Sequence, residues 1–260
     1  MYFQNKPALI YLLKTGSYAA KTAKGNLQPF MIERREPCNS DVLIEIDYCG
    51  VCHTDLHFVN NDWGITEYPV VPGHEIVGRI TEVGTDVSRF QVGDLAAIGC
   101  MVNSCGDCQS CLDGDEQYCL KGFTATYNSP IEDPGGLTFG GYSQRIVADQ
   151  SFVLKMPENL EITGTAPLLC AGITTYSPLQ HWSVNAGMKV GVVGLGGLGH
   201  MGVKFAHAMG AHTVMITTTP DKGKDAKSLG ADEILISTDA SAMSKDCLLY
   251  TSPSPRDLST

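Results

Sequence analysis

The sequence predicts a two-domain protein of mixed α+β and α/β class, with a β-rich first domain and a second domain of alternating strands and helices. Two observations support this prediction. Up to residue 161, short apolar runs are separated by glycine and proline, which is typical of short strands joined by turns. From residue 162 onward, strand-like runs alternate with segments of helical length, as in a parallel sheet with crossover helices. We therefore expect domains at 1–161 and 162–246.

Length and composition are those of a globular protein. The chain has 260 residues, 43% of them hydrophobic and 28 of them glycine, enough for one large or two ordinary domains. No apolar run reaches about 18 residues, so no membrane span is predicted. The formal charge of −10 argues against nucleic acid or an anionic membrane surface as a partner. Residues 1–13 lack a basic leader and a small-residue cleavage site, which predicts a cytoplasmic protein without a secretory signal.

Three strands of the first domain are predicted directly. Apolar or alternating runs at 42–46, 76–83 and 94–98 have strand length, and Gly84 and Gly93 supply turns beside them. The polar motifs lie between such runs. We therefore expect these motifs on loops held by strands, where catalytic groups commonly lie.

A first set of metal-ligating residues is spread along the chain. Residues 49–55 read CGVCHTD, His74 and Glu75 follow about twenty residues later, and Cys170 lies far downstream. A thiolate, an imidazole and a second thiolate are ligands that a catalytic Zn²⁺ takes, leaving its fourth position for water or a substrate oxygen. Asp55 is predicted to accept the outer N–H of His74 and fix its tautomer. Glu75 is predicted to tune the metal or to displace water transiently.

A second set is local. Cys105, Cys108, Cys111 and Cys119 follow the spacing C-x2-C-x2-C-x7-C, and four thiolates close a tetrahedral shell, which describes a structural zinc site. The alternative is a set of redox-active or disulfide-bonded cysteines. Four thiolates around one Zn²⁺ leave a local charge of about −2, so Lys121 is predicted to solvate it.

The second domain carries a dinucleotide-binding pattern. A buried parallel strand is predicted at 189–193, before a glycine-rich turn. A helix is predicted at 200–209, and further strands are predicted at 213–216 and 231–236. In this context Gly-x-Gly-x-x-Gly predicts a Rossmann site, where glycines let pyrophosphate approach a helix N-terminus. The turn consists of Gly194, Leu195, Gly196, Gly197, Leu198 and Gly199.

The choice of cofactor depends on the end of the second Rossmann strand. An NAD site places an acidic residue there to bind the ribose 2′-hydroxyl. Here the sequence has Thr217, Thr218 and Thr219, followed by Lys222 and Lys224. Hydroxyls and lysines suit a 2′-phosphate, which predicts NADP(H). The alternative is a solvated, threonine-rich turn.

Five motifs, in this order and spacing, resemble the zinc-dependent medium-chain alcohol dehydrogenases. They are CGVCHTDLH, VPGHEIVG, the four-cysteine run, PLLCAGITTYSPL and GLGGLGHMGVK, and the match runs from about residue 14 to about residue 245. They are most similar to the cinnamyl alcohol dehydrogenase branch and its microbial broad-range aldehyde reductases. The resemblance implies a co-chaperonin-like β-rich catalytic domain, the N-terminal half of a Rossmann domain, two Zn²⁺ per chain and a homodimeric full-length parent.

The resemblance also implies individual roles. The ligand is the cysteine immediately before His-Thr-Asp, which is Cys52, and Cys49 is then expected in the packed core. His53 falls where the resembled family contacts the cofactor pyrophosphate, and the alternative is an ordinary exposed histidine. Apart from the resemblance, Thr54 is the candidate proton relay, because a hydroxyl beside the metal can pass on the proton of a zinc-bound alcohol. His57 either continues that relay or is a surface or packing histidine.

Two further residues are assigned to ligand binding. Thr174 is placed with the cofactor-binding residues. Trp63 is predicted either to line an apolar substrate pocket or to pack in the core.

Together these assignments predict an NADP(H)-dependent zinc oxidoreductase that interconverts primary alcohols and aldehydes, of cinnamyl type or of broad range. Residues 247–260 fit no part of the family and, with two prolines among serines, predict a disordered or aberrant tail of a C-terminally truncated chain. The alternative is a stable, inactive fragment that binds zinc through residues 105–119. A zinc-free quinone reductase is a more distant third, because it would not keep both ligand sets.

Overall fold

The computed structural model describes residues 12–133, 135–157 and 159–245. Contacts between Cα atoms divide the chain into two compact units, Met1–Cys170 and Ala171–Thr260. The predicted tail at 247–260 lies outside the described residues. No helix within the described ranges is long and apolar enough to cross a membrane.

The first unit is built from short strands. In chain order the described strands are β1 (Leu12–Ala19), β2 (Gln28–Arg35), β3 (Asp41–Cys49), β4 (Ile76–Val83), β5 (Leu95–Ile98), β6 (Met101–Asn103), β7 (Thr124–Ala125), β8 (Arg145–Asp149) and β9 (Leu154–Lys155). Strands β1 and β2 form an antiparallel pair, β6 and β7 form another, and the remaining five form one sheet in the order β8-β3-β4-β5-β9.

The five-stranded sheet covers the main apolar core of this unit. Val42 and Ile44 of β3, Ile76 of β4 and Ile146 of β8 are almost fully buried in one cluster. The predicted strand at 76–83 is confirmed as β4, the one at 42–46 lies inside β3, and the one at 94–98 begins one residue early. Because β4 starts directly after His74 and Glu75, the sheet fixes the direction of that pair.

Short helices connect the strands. They are α1 (His53–Asn60), α2 (Gln109–Leu112) and α3 (Ile162–Thr165), with 3₁₀ turns at Glu116–Tyr118, Gln150–Phe152 and Ala166–Leu169. The expectation that the CGVCHTD motif at 49–55 lies on a loop is wrong from His53 onward, where α1 begins. Cys52 is the N-cap of this helix, and its amide donates to Asp55 Oδ2 at 3.0 Å.

The second unit is a parallel sheet with helices. Its strands are β10 (Lys189–Val193), β11 (His212–Thr217) and β12 (Glu233–Ile236), and its helices are α4 (Ala171–His181), α5 (Gly197–Ala208), α6 (Asp221–Ser228) and α7 (Ala240–Lys245). The strands pair in the order β10-β11-β12. The predicted strand at 189–193 is confirmed as β10, but its predicted burial is wrong, because β10 is the edge strand of the described sheet and Val193 is 77% exposed. Strand β11 extends the predicted 213–216 by one residue at each end.

Two helix predictions are corrected. The prediction of a single helix through 166–176 is wrong. Cys170 has non-helical backbone angles (φ −127°, ψ −73°) and separates a 3₁₀ turn from α4. The helix predicted at 200–209 begins three residues earlier, at Gly197, with Gly196 as its N-cap. The glycines of its first turn have low helix propensity, which is why the sequence placed the start too late.

Truncating Ile44 should destabilise the first unit. The Ile44 side chain is 0% exposed at the centre of β3, so Ile44→Ala should lower the free energy of unfolding by about 2–5 kcal/mol. Ile65, which is 61% exposed in the same unit, is the matched control. Urea denaturation monitored by circular dichroism should show a change within about 0.5 kcal/mol for Ile65→Ala, and equal losses for the two variants would contradict the assigned core.

Candidate metal and dinucleotide sites

Four potential ligands meet in the first unit. The ligand atoms of Cys52, His74, Glu75 and Cys170 all lie within 4.8 Å of one another. Cys52 precedes α1, His74 and Glu75 precede β4, and Cys170 lies between the Ala166–Leu169 turn and α4. We call these four residues the α1 site. Since His74 and Glu75 are 4% and 2% exposed, their polar groups face this cluster instead of bulk water.

The sulfur spacing in the α1 site fits a metal. The Sγ atoms of Cys52 and Cys170 are 3.8 Å apart. Two thiolates that each bind a tetrahedral Zn²⁺ at about 2.3 Å have sulfurs about 3.8 Å apart, whereas a disulfide requires about 2.05 Å. Two thiols, an imidazole and a carboxylate are also donor types that zinc accepts. The residues present therefore fit a Zn²⁺ ion.

Asp55 holds the α1 site together. Its Oδ1 accepts the Gly73 amide at 3.0 Å and lies 3.3 Å from His74 Nδ1. Its Oδ2 accepts the Cys52 amide at 3.0 Å and the Tyr142 hydroxyl at 3.1 Å. Asp55 is 2% exposed, so these donors replace its water shell. The carboxylate thus contacts both potential ligands, Cys52 and His74.

The electrostatics of the α1 site favour a cation. Burial alone would raise the pKa of Asp55, but hydrogen bonds from His74 and from the Cys52 and Gly73 amides outweigh it and lower that pKa. Burial would lower the pKa of His74, yet Asp55 and Cys170 raise it to about 11. Without a metal, a proton on His74 is therefore stabilised, since the site has a negative potential.

Tyr142 and Tyr127, which no sequence motif singled out, lie beside Asp55 and His74. The Tyr142 hydroxyl donates to Asp55, and the Tyr127 ring lies 5.7 Å from the His74 ring, centroid to centroid. Tyr127 is 4% exposed, and its hydroxyl has no hydrogen-bond partner among the described residues. Burial and the nearby Asp55 charge raise the pKa of both phenols, so both stay neutral.

Two other cysteines lie near the α1 site. Cys49 packs against the main core cluster, and burial raises the pKa of its thiol to about 12, so it stays protonated. Cys100, which follows no motif, hydrogen-bonds to Cys170, and this contact lowers the pKa of Cys100. Sequence analysis could not select Cys100, since it lies outside both cysteine patterns.

Helix α1 carries the residues expected to move protons. His57 Nδ1 lies 2.8 Å from Asp62 Oδ2, and both side chains are partly exposed. The His57 ring lies between those of His53 and Trp63, at centroid distances of 4.8 and 4.9 Å. Thr54 is the second residue of the helix and is partly buried. The helix therefore brings His57 into contact with Asp62, which the sequence prediction did not pair with it.

The Trp63 ring is exposed. It is 51% exposed and packs edge-on against Phe58 at 5.4 Å. Phe58 in turn packs against Tyr127 at 4.9 Å, and Tyr127 lies beside His74. The prediction of core packing for Trp63 is therefore wrong. Trp63 is the exposed end of a row of contacting rings, Trp63, Phe58 and Tyr127, that leads to His74 in the α1 site.

The lobe at residues 105–119 gathers its four cysteines. Their Sγ atoms lie within 4.8 Å of one another, with Cys105 3.8 Å and Cys108 3.5 Å from Cys111. These spacings fit one tetrahedral ion, and all nine cysteines within the described part of the chain are free thiols. We call this set the lobe site.

Backbone amides favour thiolates in the lobe site. The Leu120 amide donates to Cys108 Sγ at 3.4 Å and lowers the pKa of Cys108 to about 6. The Cys105 amide donates to Cys119 Sγ at 3.5 Å and lowers the pKa of Cys119. Lys121 pairs with Asp107 at 2.7 Å, and that contact, followed by the nearby sulfurs, raises the pKa of Lys121.

The glycine-rich turn of the second unit joins β10 to α5. Gly194 has φ +86° and its amide donates to Ile216 O at 2.9 Å, which turns the chain at the carboxyl end of the sheet. A Cβ on Gly199 would lie 1.7 Å from Gly194 O, so only glycine fits there. The amides at the start of α5 and the helix dipole suit a phosphate at this end.

The residues predicted to determine specificity for NADP(H) over NAD(H) lie at the end of β11 and directly after it. Thr217 ends that strand and is 4% exposed, whereas Thr218, Thr219 and Lys222 are exposed. Thr174 is exposed on α4 in the same unit. The burial of Thr217 leaves the next two hydroxyls and the lysine as the groups that a ligand can reach. The predicted roles of these residues stay predictions.

A β-rich unit with two metal-fitting clusters, followed by a parallel unit with a glycine-rich turn, defines the class of zinc-binding oxidoreductases that use a dinucleotide. The family described as "Alcohol dehydrogenase GroES-like domain" matches residues 39–158, and the one described as "Zinc-binding dehydrogenase" matches residues 197–254. The chain belongs to the zinc-dependent medium-chain alcohol dehydrogenases and is similar to their cinnamyl alcohol dehydrogenase branch. The predicted family and the co-chaperonin-like and dinucleotide-binding fold class are thereby confirmed.

Individual relatives are close in sequence. Aldehyde reductase YahK of Escherichia coli is 53% identical over 252 residues, which cover 95% of this chain and 72% of the relative. A cinnamyl alcohol dehydrogenase of Sorghum bicolor superposes with a TM-score of 0.86 at 44% identity, covering 90% of this chain and 67% of that one. CAD from Helicobacter pylori, complexed with NADP(H), gives 0.81 at 41% identity, covering 86% and 65%. The chain spans about two thirds of the length of these relatives.

Adding a methyl group at Gly73 should damage the α1 site. Gly73 has φ +102°, and its Cβ would lie 2.7 Å from Tyr142 Cδ1 and 2.9 Å from the Tyr142 amide nitrogen. Gly73→Ala should therefore lower the free energy of unfolding by about 1–3 kcal/mol beyond the cost of the backbone angle.

Gly93→Ala isolates the cost of the backbone angle. Gly93 has φ +95° and no atom within 4 Å of its added Cβ. Chemical denaturation of both variants measures the difference, and equal losses would show that the contact with Tyr142 does not matter.

Proposed function

We propose that this protein is a zinc-dependent, NADP(H)-linked oxidoreductase that interconverts primary alcohols and aldehydes. The observation that carries the proposal is the α1 site, in which two thiols, an imidazole and a carboxylate converge around a sulfur spacing suited to Zn²⁺. Its membership in the alcohol dehydrogenase family supports the same reaction class. We extend the proposal to a full-length homodimer.

Two zinc ions per chain are part of the proposal. Cys52, His74 and Cys170 would hold the first, with Glu75 beside it, and the lobe site would hold the second. At the α1 site a bound Zn²⁺ supplies Lewis-acid polarisation of the substrate oxygen. Four thiolates fill every position of a tetrahedral ion, so the lobe ion would be structural.

The protein's own residues prepare the α1 site. Because His74 Nδ1 lies beside Asp55, Nε2 is the nitrogen that remains for a metal. Asp55 also fixes the Cys52 backbone through its amide. The buried positions of His74 and Glu75 exclude water from one side, which strengthens electrostatic interactions there.

A path for the alcohol proton follows from helix α1. Thr54 would exchange a proton with the substrate hydroxyl and His57 would pass it on. His57 Nδ1 is 2.8 Å from Asp62, and the hydrogen bond from His57 lowers the pKa of that exposed carboxyl. Asp62 is thus a charged acceptor at the solvent end of the proposed relay.

NADP(H) is supported by the chemistry after β11. Thr218, Thr219 and Lys222 are exposed, and the first three residues after the strand include no carboxylate. A 2′-phosphate would gain hydroxyl donors and a cation there. The solved Helicobacter pylori relative is complexed with NADP(H).

A broad aldehyde range is the substrate class that we propose. The exposed face of Trp63 offers an apolar surface for an aromatic or aliphatic group. Similar proteins carry names as different as aldehyde reductase, mannitol dehydrogenase and cinnamyl alcohol dehydrogenase. The competing proposal is a zinc-binding polypeptide without turnover. Measuring bound zinc and NADPH oxidation in the same preparation distinguishes it from an active enzyme.

Replacing Cys52 should remove one zinc ion and the activity. The purified chain should hold two Zn²⁺ by native mass spectrometry and oxidise NADPH with cinnamaldehyde and with butyraldehyde. Cys52→Ser should hold one ion and lose activity at least about 100-fold, since a Lewis acid supplies several kcal/mol. Cys49→Ala, in a thiol packed in the core, should keep both ions. Two ions in the wild type without NADPH oxidation would favour the inactive polypeptide.

Removing the Lys222 charge should weaken NADPH binding selectively. An exposed contact with a phosphate is worth up to about 1 kcal/mol, so Lys222→Ala should raise the Kd for NADPH about 2- to 5-fold and leave that for NADH unchanged. Lys204→Ala, an exposed lysine on α5, is the control. Isothermal titration measures both constants, and a wild type that prefers NADH would refute the assignment.

A further inference from the structure

One chain segment lies against the backbone that leads into His74. Residues 140–142 pair with residues 71–73 through three hydrogen bonds: the Gly140 amide to Val71 O at 2.8 Å, the Gly141 amide to Gly73 O at 2.8 Å and the Tyr142 amide to Pro72 O at 3.0 Å. We call residues 139–143 the bracing segment. Its backbone is thereby fixed directly beside the α1 site.

Steric contact fixes the Tyr142 ring as well. An atom at the Cβ position of Gly73 would be 2.7 Å from Tyr142 Cδ1, so the ring lies against the bare Gly73 backbone. The ring is partly buried, and its hydroxyl reaches Asp55 Oδ2 at 3.1 Å. The hydroxyl position therefore follows from the backbone pairing and does not depend on a free rotamer.

Arg34 of β2 anchors the same segment from the other side. Its Nη2 donates to Phe139 O at 2.9 Å, to Gly140 O at 3.2 Å and to Ser143 Oγ at 3.0 Å. Arg34 makes no ion pair among the described residues. A partly buried guanidinium that bonds to backbone carbonyls holds a loop in place, and here that loop carries Tyr142.

We propose that Tyr142 is a positioning residue of the α1 site, whose hydroxyl holds Asp55 in the orientation in which that carboxylate contacts both Cys52 and His74. Tyr142 occupies one of the four donor positions on Asp55, and the other three are the Gly73 amide, the Cys52 amide and His74 Nδ1. Without the hydroxyl, Oδ2 keeps a single donor. A buried carboxylate oxygen that loses a donor shifts to recover it, and this shift would move the carboxylate from Nδ1.

The inference rests on the proposed zinc at the α1 site, and its test reads the metal directly. Partners of a ligating histidine typically contribute about 10- to 100-fold to metal affinity. Tyr142→Phe removes only the hydroxyl that contacts Asp55, one contact further from the metal. It should therefore weaken Zn²⁺ at the α1 site by about 10-fold, the lower end of that range, in competition with a chelator. It should also shift the visible spectrum of Co²⁺ at this site. Zinc in the lobe site of the same molecule is the internal reference.

A double-mutant cycle separates positioning from general destabilisation. If Tyr142 acts through Asp55, adding Tyr142→Phe to Asp55→Asn should weaken zinc binding little beyond Asp55→Asn alone. Tyr18→Phe, at a ring that is 57% exposed in the same unit, should behave like the wild type. Unfolding midpoints of the metal-free proteins show whether the variants are equally folded.

The outcomes distinguish this inference from the proposed function. A wild type that binds zinc in the lobe site alone would refute the zinc assignment itself. A wild type with two ions and a Tyr142→Phe affinity within about twofold of it would overturn only the role of Tyr142. A full additional loss in the double variant would overturn that role too, because the hydroxyl would then act independently of Asp55.

Discussion

The α1 site depends on one buried carboxylate. Asp55 is 2% exposed, and an ionised carboxylate in that position is unstable unless donors replace water. Four donors do so, two from backbone amides and two from the side chains of His74 and Tyr142. Because these donors lie on separate segments, satisfying one carboxylate also brings Cys52 and His74 together. The ligand geometry is therefore set by the fold before any metal binds.

The two clusters show how far sequence spacing can predict a site. The lobe cysteines lie within residues 105–119, and their spacing alone predicted that they would converge. The α1 site joins Cys52 to Cys170, 118 positions away. Spacing cannot predict such a pairing, and the sequence indicated it only through the ligand chemistry and the resemblance of its motifs. Tyr142 and Cys100 carried no such signal, since their roles arise from tertiary contacts.

The fold was predicted best where apolar runs were long. The strands at 76–83 and 189–193 were confirmed, because apolar, β-branched runs of this length favour extended pairing. The predicted burial of the second strand was wrong, since β10 lies at the edge of the described sheet and Val193 is 77% exposed. Helices were predicted less well. Apolar composition at 166–176 favoured a continuous helix, but the helical conformation is interrupted at Cys170, whose side chain belongs to the α1 site. Tertiary contacts prevail over propensity at that residue, as is common at functional positions.

The two proposed ions would stabilise the first unit to a similar extent but would differ in their chemistry. In the chain-entropy description of a cross-link, closing the 14-residue span from Cys105 to Cys119 contributes about 3 kcal/mol, and closing the 118-residue span from Cys52 to Cys170 about 5 kcal/mol. The longer span adds only about 2 kcal/mol of stabilisation, because closure entropy grows with the logarithm of span length. The main difference between the sites is therefore chemical. The lobe cysteines complete a tetrahedral shell, whereas the α1 site keeps Glu75 in place of a third thiolate, so that a ligand oxygen can compete for the metal.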